Sequence, residues 1–446
     1  MFNYLFEGTI IHCPNRLELY ILENGFLHVE SGKVKYIGKT KPENIPADTI
    51  SYKLTKYQFL IPGFIDTHIH APQYPNIGLG YDVELLEWLD NYTFPTEIRF
   101  NDQDHAKCIY PYVVNRTLKN GTTTASYYGT TNLKSSIILS DVTSAKGQRA
   151  FIGLVNMTEN APPELLHENN DVSIKETEEF IKIIFKKKNE LVQPVITPRF
   201  ALSCNEDLLK RLGDLAAKYH VNIQTHISEN KKEIEATLET YPGYKNYAEV
   251  YDKANLLTKK TILAHAVYLD DNEKNTVLKR GTSISHCPNS NICLHSGFCD
   301  VRDFLNRGIN VGLGTDVSGG CSPSILDAIR SSITTSNGVS FSKSEEENYK
   351  SIDYTDAFYL ATLGGAQALR IDDRVGNFKV GKEFDALLID LDSENTPIDL
   401  HLLQDYTSSE LLQKFIYLGD DRNINQVFVA GRCVVKDRNV IRTYTG

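Results

Sequence analysis

The chain has 446 residues, 41% hydrophobic and 23% charged, with a formal net charge of −10. That size suits one large α/β domain with a smaller companion, and the balance is that of a water-soluble protein with a sizeable core. The negative charge argues against a general nucleic-acid or anionic-membrane binder. No apolar stretch approaches the roughly 20 residues of a membrane span, and the first residues lack a signal peptide's basic start and long apolar core, so a cytoplasmic protein is expected. The eight cysteines include no Cys-x-x-Cys pair, and the evenly spaced Cys287, Cys293 and Cys299 read as structural thiols in a reducing compartment.

Residues 1 to 60 read as short strands. The segment from Gly25 to Gly38 alternates around Ser31-Gly32, which predicts a hairpin. The far end is similar: Asp385–Asp390 and Ile424–Val435 are strand-like, with a turn at Ala430-Gly431. Two β-rich ends around an α/β middle predict one small β-sandwich domain built from residues 1–60 and 375–446, enclosing a catalytic domain over 61–374.

The middle opens with an apolar run from Phe59 to His70 and continues with strand candidates at Thr122–Tyr127, Arg149–Val155, Gln193–Phe200, Asn222–Ile227, Thr261–Ala266, Thr282–His286 and Asn310–Gly314. Helical patterns separate them. One runs from Asn205 to Lys218 with Asn205 as its N-cap, and another from Thr355 to Leu369. Alternating strands and helices imply a parallel sheet with right-handed crossovers, and eight strands imply a closed (β/α)8 barrel of the TIM type. The alternative, an open doubly wound sheet, would place a Gly-rich phosphate turn after its first strand. Here that place holds His68-Ile-His70.

On a strand, residues i and i+2 share a face, so His68 and His70 project side by side. His226, His265 and Asp316 each close a later apolar run. Metal-capable residues at successive strand ends are the way such a barrel builds an active site. Imidazole and carboxylate suit zinc or a similar first-row ion, which lowers the pKa of bound water from about 15.7 to roughly 7. Glu229, three residues past His226, is placed to move protons, or else to cap the next helix. His265 could be a further ligand or an electrophile, and Asp316 a ligand or a proton acceptor.

Loop residues supply candidate substrate contacts. Gln73 follows the histidine pair, and Arg199-Phe200 ends a strand; an amide and a guanidinium can read the edge of a planar heterocycle while Phe200 covers its face. Trp88, the only tryptophan, sits in Leu85-Leu-Glu-Trp-Leu89, where it reads as core or as part of the substrate wall.

Pro62-Gly-Phe-Ile-Asp-Thr-His-Ile-His70 resembles the first-strand signature of the amidohydrolase superfamily, and His226, His265 and Asp316 follow in its order. His70-Ala-Pro-Gln-Tyr74, Leu85–Leu89, Tyr92-Thr-Phe-Pro95, Thr197-Pro-Arg-Phe200, His226-Ile-Ser-Glu-Asn230, His286-Cys-Pro-Asn-Ser-Asn291, Gly312–Val317 and Gly376–Ala386 resemble the guanine-deaminating branch of that superfamily. The resemblance implies one zinc ion per subunit on His68, His70, His226 and Asp316, with His265 as a non-ligand catalytic residue. It makes Glu229 the proton shuttle, assigns Gln73, Arg199 and Phe200 to guanine, and points to a homodimer. Relatives with two metals carry a bridging lysine on the fourth strand; here that strand ends Ile196-Thr-Pro-Arg199. Pro72 stands where the family often has a small residue such as serine, which predicts a stiffer loop around Gln73. The alternatives are an amidohydrolase acting on another aminated heterocycle or cyclic amide, and a non-catalytic scaffold. A cytidine-deaminase type of zinc site would need a Pro-Cys-x-x-Cys segment, whereas Cys287 precedes a proline.

Overall fold

A computed structural model of the protein describes residues 2–343, 348–402 and 405–441. Two sheets organise it. The first takes strands from both ends of the chain: β1 (Tyr4–Asn15), β2 (Glu18–Glu30), β3 (Lys33–Gly38), β4 (Ile50–Lys53) and β5 (Gln58–Pro62), then, after the barrel, β15 (Ala386–Asp390), β16 (Ile424–Val429), β17 (Arg432–Lys436) and β18 (Asn439–Val440). Its order is β18-β17-β16-β15-β5-β1-β2-β3, with β4 also on β1. The rings of Phe6, Phe384 and Phe428 pack 5.3–5.9 Å apart beneath it. Both expected turns are present, and Ser31, Gly32, Ala430 and Gly431 all have positive φ.

The second sheet is a nearly closed barrel of eight parallel strands: β6 (Phe64–His70), β7 (Thr122–Tyr128), β8 (Arg149–Gly153), β10 (Val192–Pro198), β11 (Asn222–Ile227), β12 (Thr261–His265), β13 (Ser283–His286) and β14 (Val311–Leu313). The short β9 (Val155–Asn156) continues β8 and pairs with β10. Every residue of β6, β7, β8, β12, β13 and β14 is buried. Burial on both faces is why these strands show no regular in-and-out alternation of apolar and polar residues. Between β14 and β6 the circle is completed just past the last strand, where Asp316 N donates to His68 O at 2.8 Å and His70 N to Val317 O at 3.0 Å. Those two bonds bring Asp316 onto the histidine pair.

The run from Phe59 to His70 divides at Gly63. β5 lies in the terminal sheet, between β1 and β15, and β6 opens the barrel. A side chain at Gly63 would place its Cβ 2.2 Å from the Thr123 side chain, so the crossing from one sheet to the other needs glycine. The helix Glu206–Tyr219 begins as expected, with Asn205 accepting from Leu208 N at 3.0 Å. The late helix is less regular than its pattern predicts: Tyr354–Tyr359 and Gly365–Ala368 flank a wider turn at Leu360–Gly364. Beyond it Leu369, Ile371 and Val375 pack with Ile65, Phe151, Val195 and Ile262 to close the barrel floor.

Candidate active site

The catalytic candidates meet at the C-terminal mouth of the barrel. From β6, His68 and His70 project together, with ring centroids 5.0 Å apart. His226 ends β11; its Nδ1 lies 2.5 Å from Arg199 O, which turns Nε2 inward to 3.1 Å from His70 Nε2. Asp316, past β14, sets Oδ1 3.0 Å from His68 Nε2 and 3.4 Å from His70 Nε2. His265 ends β12 and places Nε2 3.7 Å from Asp316 Oδ2 and 3.3 Å from Glu229 Oε2, while its Nδ1 lies 2.9 Å from Asn291 Oδ1. Ser228, His265, Ala266 and Asp316 all have positive φ. Non-glycine residues hold such conformations only where surrounding contacts impose them, as at functional sites.

The electrostatics follow from burial. Desolvation holds His68, His70 and His226 below the ordinary imidazole pKa; Asp316 partly offsets it at His68, and the neighbouring imidazoles reinforce it at His70 and His226. Burial opposes ionisation of Asp316, but His68, His265 and His70 outweigh it and hold the carboxyl well below its usual range. The result is three neutral imidazoles around a carboxylate, the protonation states that metal ligands need. Burial also pushes Glu229 up to about 7, against the opposing pull of His265. His265 itself rises, because Glu229 and Asp316 together overcome its desolvation.

This donor set fits a metal ion. The ligand atoms of His68, His226, His265 and Asp316 lie within 4.8 Å of one another. His70 falls outside that foursome, yet its Nε2 is close to both His226 and Asp316. Among the described residues, His68 Nε2 has only the Asp316 carboxylate beside it, at 3.0 Å, and His265 Nε2 is buried without a hydrogen-bond partner. A buried nitrogen left so is costly unless something else binds it.

Glu229 does not cap a helix. Asn230 caps Lys231–Thr240 together with Glu233, and Glu233 Oε2 also accepts from Glu229 N at 2.9 Å. The Glu229 carboxylate is therefore free to face the cavity, steadied by Ser296 Oγ at 3.2 Å. The cavity, about 420 Å³ including its mouth, is lined by His70, His226, Glu229, His265 and Asp316. Gln73, Trp88, Arg199 and Phe200 also line it, so the expected substrate residues share one space with the expected catalytic ones. Trp88 serves both readings: it faces the cavity, packs with Leu85 and Phe94, and donates from Nε1 to Leu79 O at 3.0 Å. Pro72 opens the tight helical turn Ala71–Asn76 that carries Gln73.

Two supporting residues escaped the sequence reading. Asn291 orients His265, and Glu97 bonds both Gln73 Nε2, at 2.8 Å, and Arg199 Nη1, at 2.6 Å. Asn291 lies inside the segment His286–Asn291, so a signal existed without a role attached. Glu97 sits on the short helix Phe94–Ile98, away from every strand end, where spacing carries no message. The cysteines at 287, 293 and 299 are free and make no metal cluster among the described residues. No helix among the described residues is long and apolar enough to cross a membrane.

The sequence pattern of the Amidohydrolase family matches residues 59–434. A guanine deaminase of Rattus norvegicus is 47% identical over 441 residues, spanning 97% of this chain and 96% of that protein. The guanine deaminase of Escherichia coli (strain K12) is 35% identical over 427 residues, 94% of this chain and 93% of that protein. Among solved structures, a guanine deaminase from C. acetobutylicum with guanine bound in its active site superposes with a TM-score of 0.90 at 36% identity, covering 97% of this chain and 99% of that one. The chain belongs to the amidohydrolase family and, within it, to the guanine deaminases.

Proposed function

We propose that this protein hydrolyses guanine to xanthine and ammonia with one zinc ion per subunit, held by His68, His70, His226 and Asp316. The observation that carries the reading is the shared cavity, which is lined both by a buried carboxylate, Glu229, beside the donor cluster and by the polar pair Gln73 and Arg199. Zinc bound there would supply Lewis acidity and bring the pKa of a water molecule toward about 7.

The protein's own groups do the rest. Arg199 and Gln73 hold the O6 and N1 edge of the base, and Phe200 lies against its face. Glu229, whose pKa is poised near neutrality, protonates ring N3 and makes C2 electrophilic. Asp316 accepts a proton from the attacking water. His265, oriented by Asn291, donates to the oxygen of the tetrahedral centre. Glu229, left ionised, takes the proton of the new C2 hydroxyl and passes it to the amino group; the C2–N bond breaks, ammonia leaves, and the proton held by Asp316 restores Glu229 to its acid form.

The same reading takes residues 61–374 as the catalytic unit and 1–60 with 375–446 as the other, supported by the change of sheet at Gly63. It extends to a cytoplasmic homodimer, supported by family resemblance; sedimentation of the purified protein tests the dimer. A panel of aminated heterocycles followed by ultraviolet absorbance tests the substrate. Guanine should turn over fastest, and Arg199→Ala should lower kcat/KM for guanine by about 10²-fold or more, since a buried polar site loses most when its pairing is broken. Unchanged guanine kinetics in that variant would remove Arg199 from recognition.

A further inference from the structure

Glu97 touches no part of the cavity, yet it is tied to both groups assigned to the base edge. Its side chain is 3% exposed. Oε1 accepts from Gln73 Nε2 and Oε2 from Arg199 Nη1, and the Arg199 guanidinium also lies over the ring of Phe94, from the same helix, at 5.3 Å. Gln73 Oε1 accepts in turn from the backbone N–H of Ser318 at 3.1 Å. That backbone donor cannot reverse its polarity. It holds the carbonyl end of the Gln73 amide toward itself and leaves the NH2 end toward position 97. Only an acceptor suits that end, and Arg199 demands a second acceptor beside it. A carboxylate meets both demands.

We infer that Glu97 is a positioning residue that sets base specificity by locking the Gln73 amide in one orientation. The inference rests on the guanine reading above. Guanine presents an oxygen acceptor at C6 beside an N1–H donor. 2,6-Diaminopurine presents the reverse, an amino donor beside a bare N1. An amide retains one free N–H and one free lone pair after the bonds to Glu97 and Ser318, so it complements guanine in one orientation and the diamino base only when flipped. The flip would set NH2 against Ser318 N–H and the carbonyl against the Glu97 carboxylate, two mismatched contacts in a buried place.

The test is the ratio of kcat/KM for guanine to that for 2,6-diaminopurine, with inhibition by the diamino base substituting where its turnover is too slow. In Glu97→Gln either orientation of Gln73 leaves one mismatch, so the ratio should fall by about 10–100-fold. A carboxylate needed only for packing would weaken both bases alike, and an unchanged ratio overturns the inference. The double variant Gln73→Glu with Glu97→Gln keeps the net charge and restores every donor–acceptor pair from Ser318 to Arg199, so it carries the test should the single variant fail to fold. It offers only acceptors at position 73, and its ratio should fall further; a preference for guanine as strong as the parent's also overturns the inference. Guanine turnover by the unaltered protein is measured first. Its absence removes the functional reading itself, whereas normal turnover with an unchanged ratio in the variants removes only the role of Glu97.

Discussion

At the barrel floor, Arg149 starts β8 and donates to Asp385 at 3.0–3.2 Å and to Glu383 at 2.8 Å; Glu383 also accepts from Arg374 at 2.7 Å, and Asp385 from Ala430 N at 2.7 Å. At the mouth, His68, His70, His265, Glu229 and Asp316 are as deeply buried and His226 is partly so, but His265 Nε2 lacks a hydrogen-bond partner and His70 Nε2 faces another imidazole nitrogen. The floor is an ion-pair network of opposite charges joining the barrel to the terminal sheet; Arg149 Nη1 alone of that guanidinium lacks a bond. The mouth gathers four imidazoles against two carboxylates and still leaves imidazole nitrogens such as His70 Nδ1 and His265 Nε2 without a hydrogen bond. Buried charge that pairs internally serves the fold, and buried donors that converge unpaired call for a ligand.

This contrast can be broken by exchanging the expected consequences. Glu229→Gln should bind metal and fold normally yet lose about 10²–10⁴-fold in kcat; steady-state kinetics beside metal analysis checks it, and near-normal turnover would end the shuttle assignment. Arg149→Ala leaves Asp385 buried without its counter-ion and should cost about 3–5 kcal/mol in stability. Denaturant titration measures that loss, while kcat per folded molecule should stay near the parent value; a kcat that collapses with the fold intact would make the floor part of the catalytic machinery. Asn291→Ala lets the His265 ring turn, with an expected loss of about 10–100-fold in activity and little change in melting temperature.

The mouth was more legible in the sequence than its supports. Strand alternation puts His68 and His70 on one side whatever the rest of the chain does, and the order of His226, His265 and Asp316 at later strand ends follows from barrel topology. The break at Gly63 left no trace in hydrophobicity, because the apolar residues Phe59-Leu-Ile-Pro62 of β5 and Phe64-Ile65 of β6 flank it on both sides although the two strands belong to different sheets. Only the steric demand of Thr123 reveals why a glycine stands there. Glu97 was invisible for another reason: its partners Gln73 and Arg199 lie 24 and 102 residues away, and no local period connects a short external helix to them. The expected single helix from Thr355 to Leu369 missed the wide turn at Leu360–Gly364, where a backbone at Gly365 close enough to put a Cβ 2.9 Å from Ile65 takes precedence over helical regularity.

Guanine turnover before and after exhaustive chelation, with zinc then returned in measured amounts, tests the metal assignment most directly. The account predicts that activity vanishes on chelation and returns in proportion to zinc, reaching full recovery at one ion per subunit. Guanine deamination that persists in metal-free protein, or recovery that requires two ions per subunit, would contradict it.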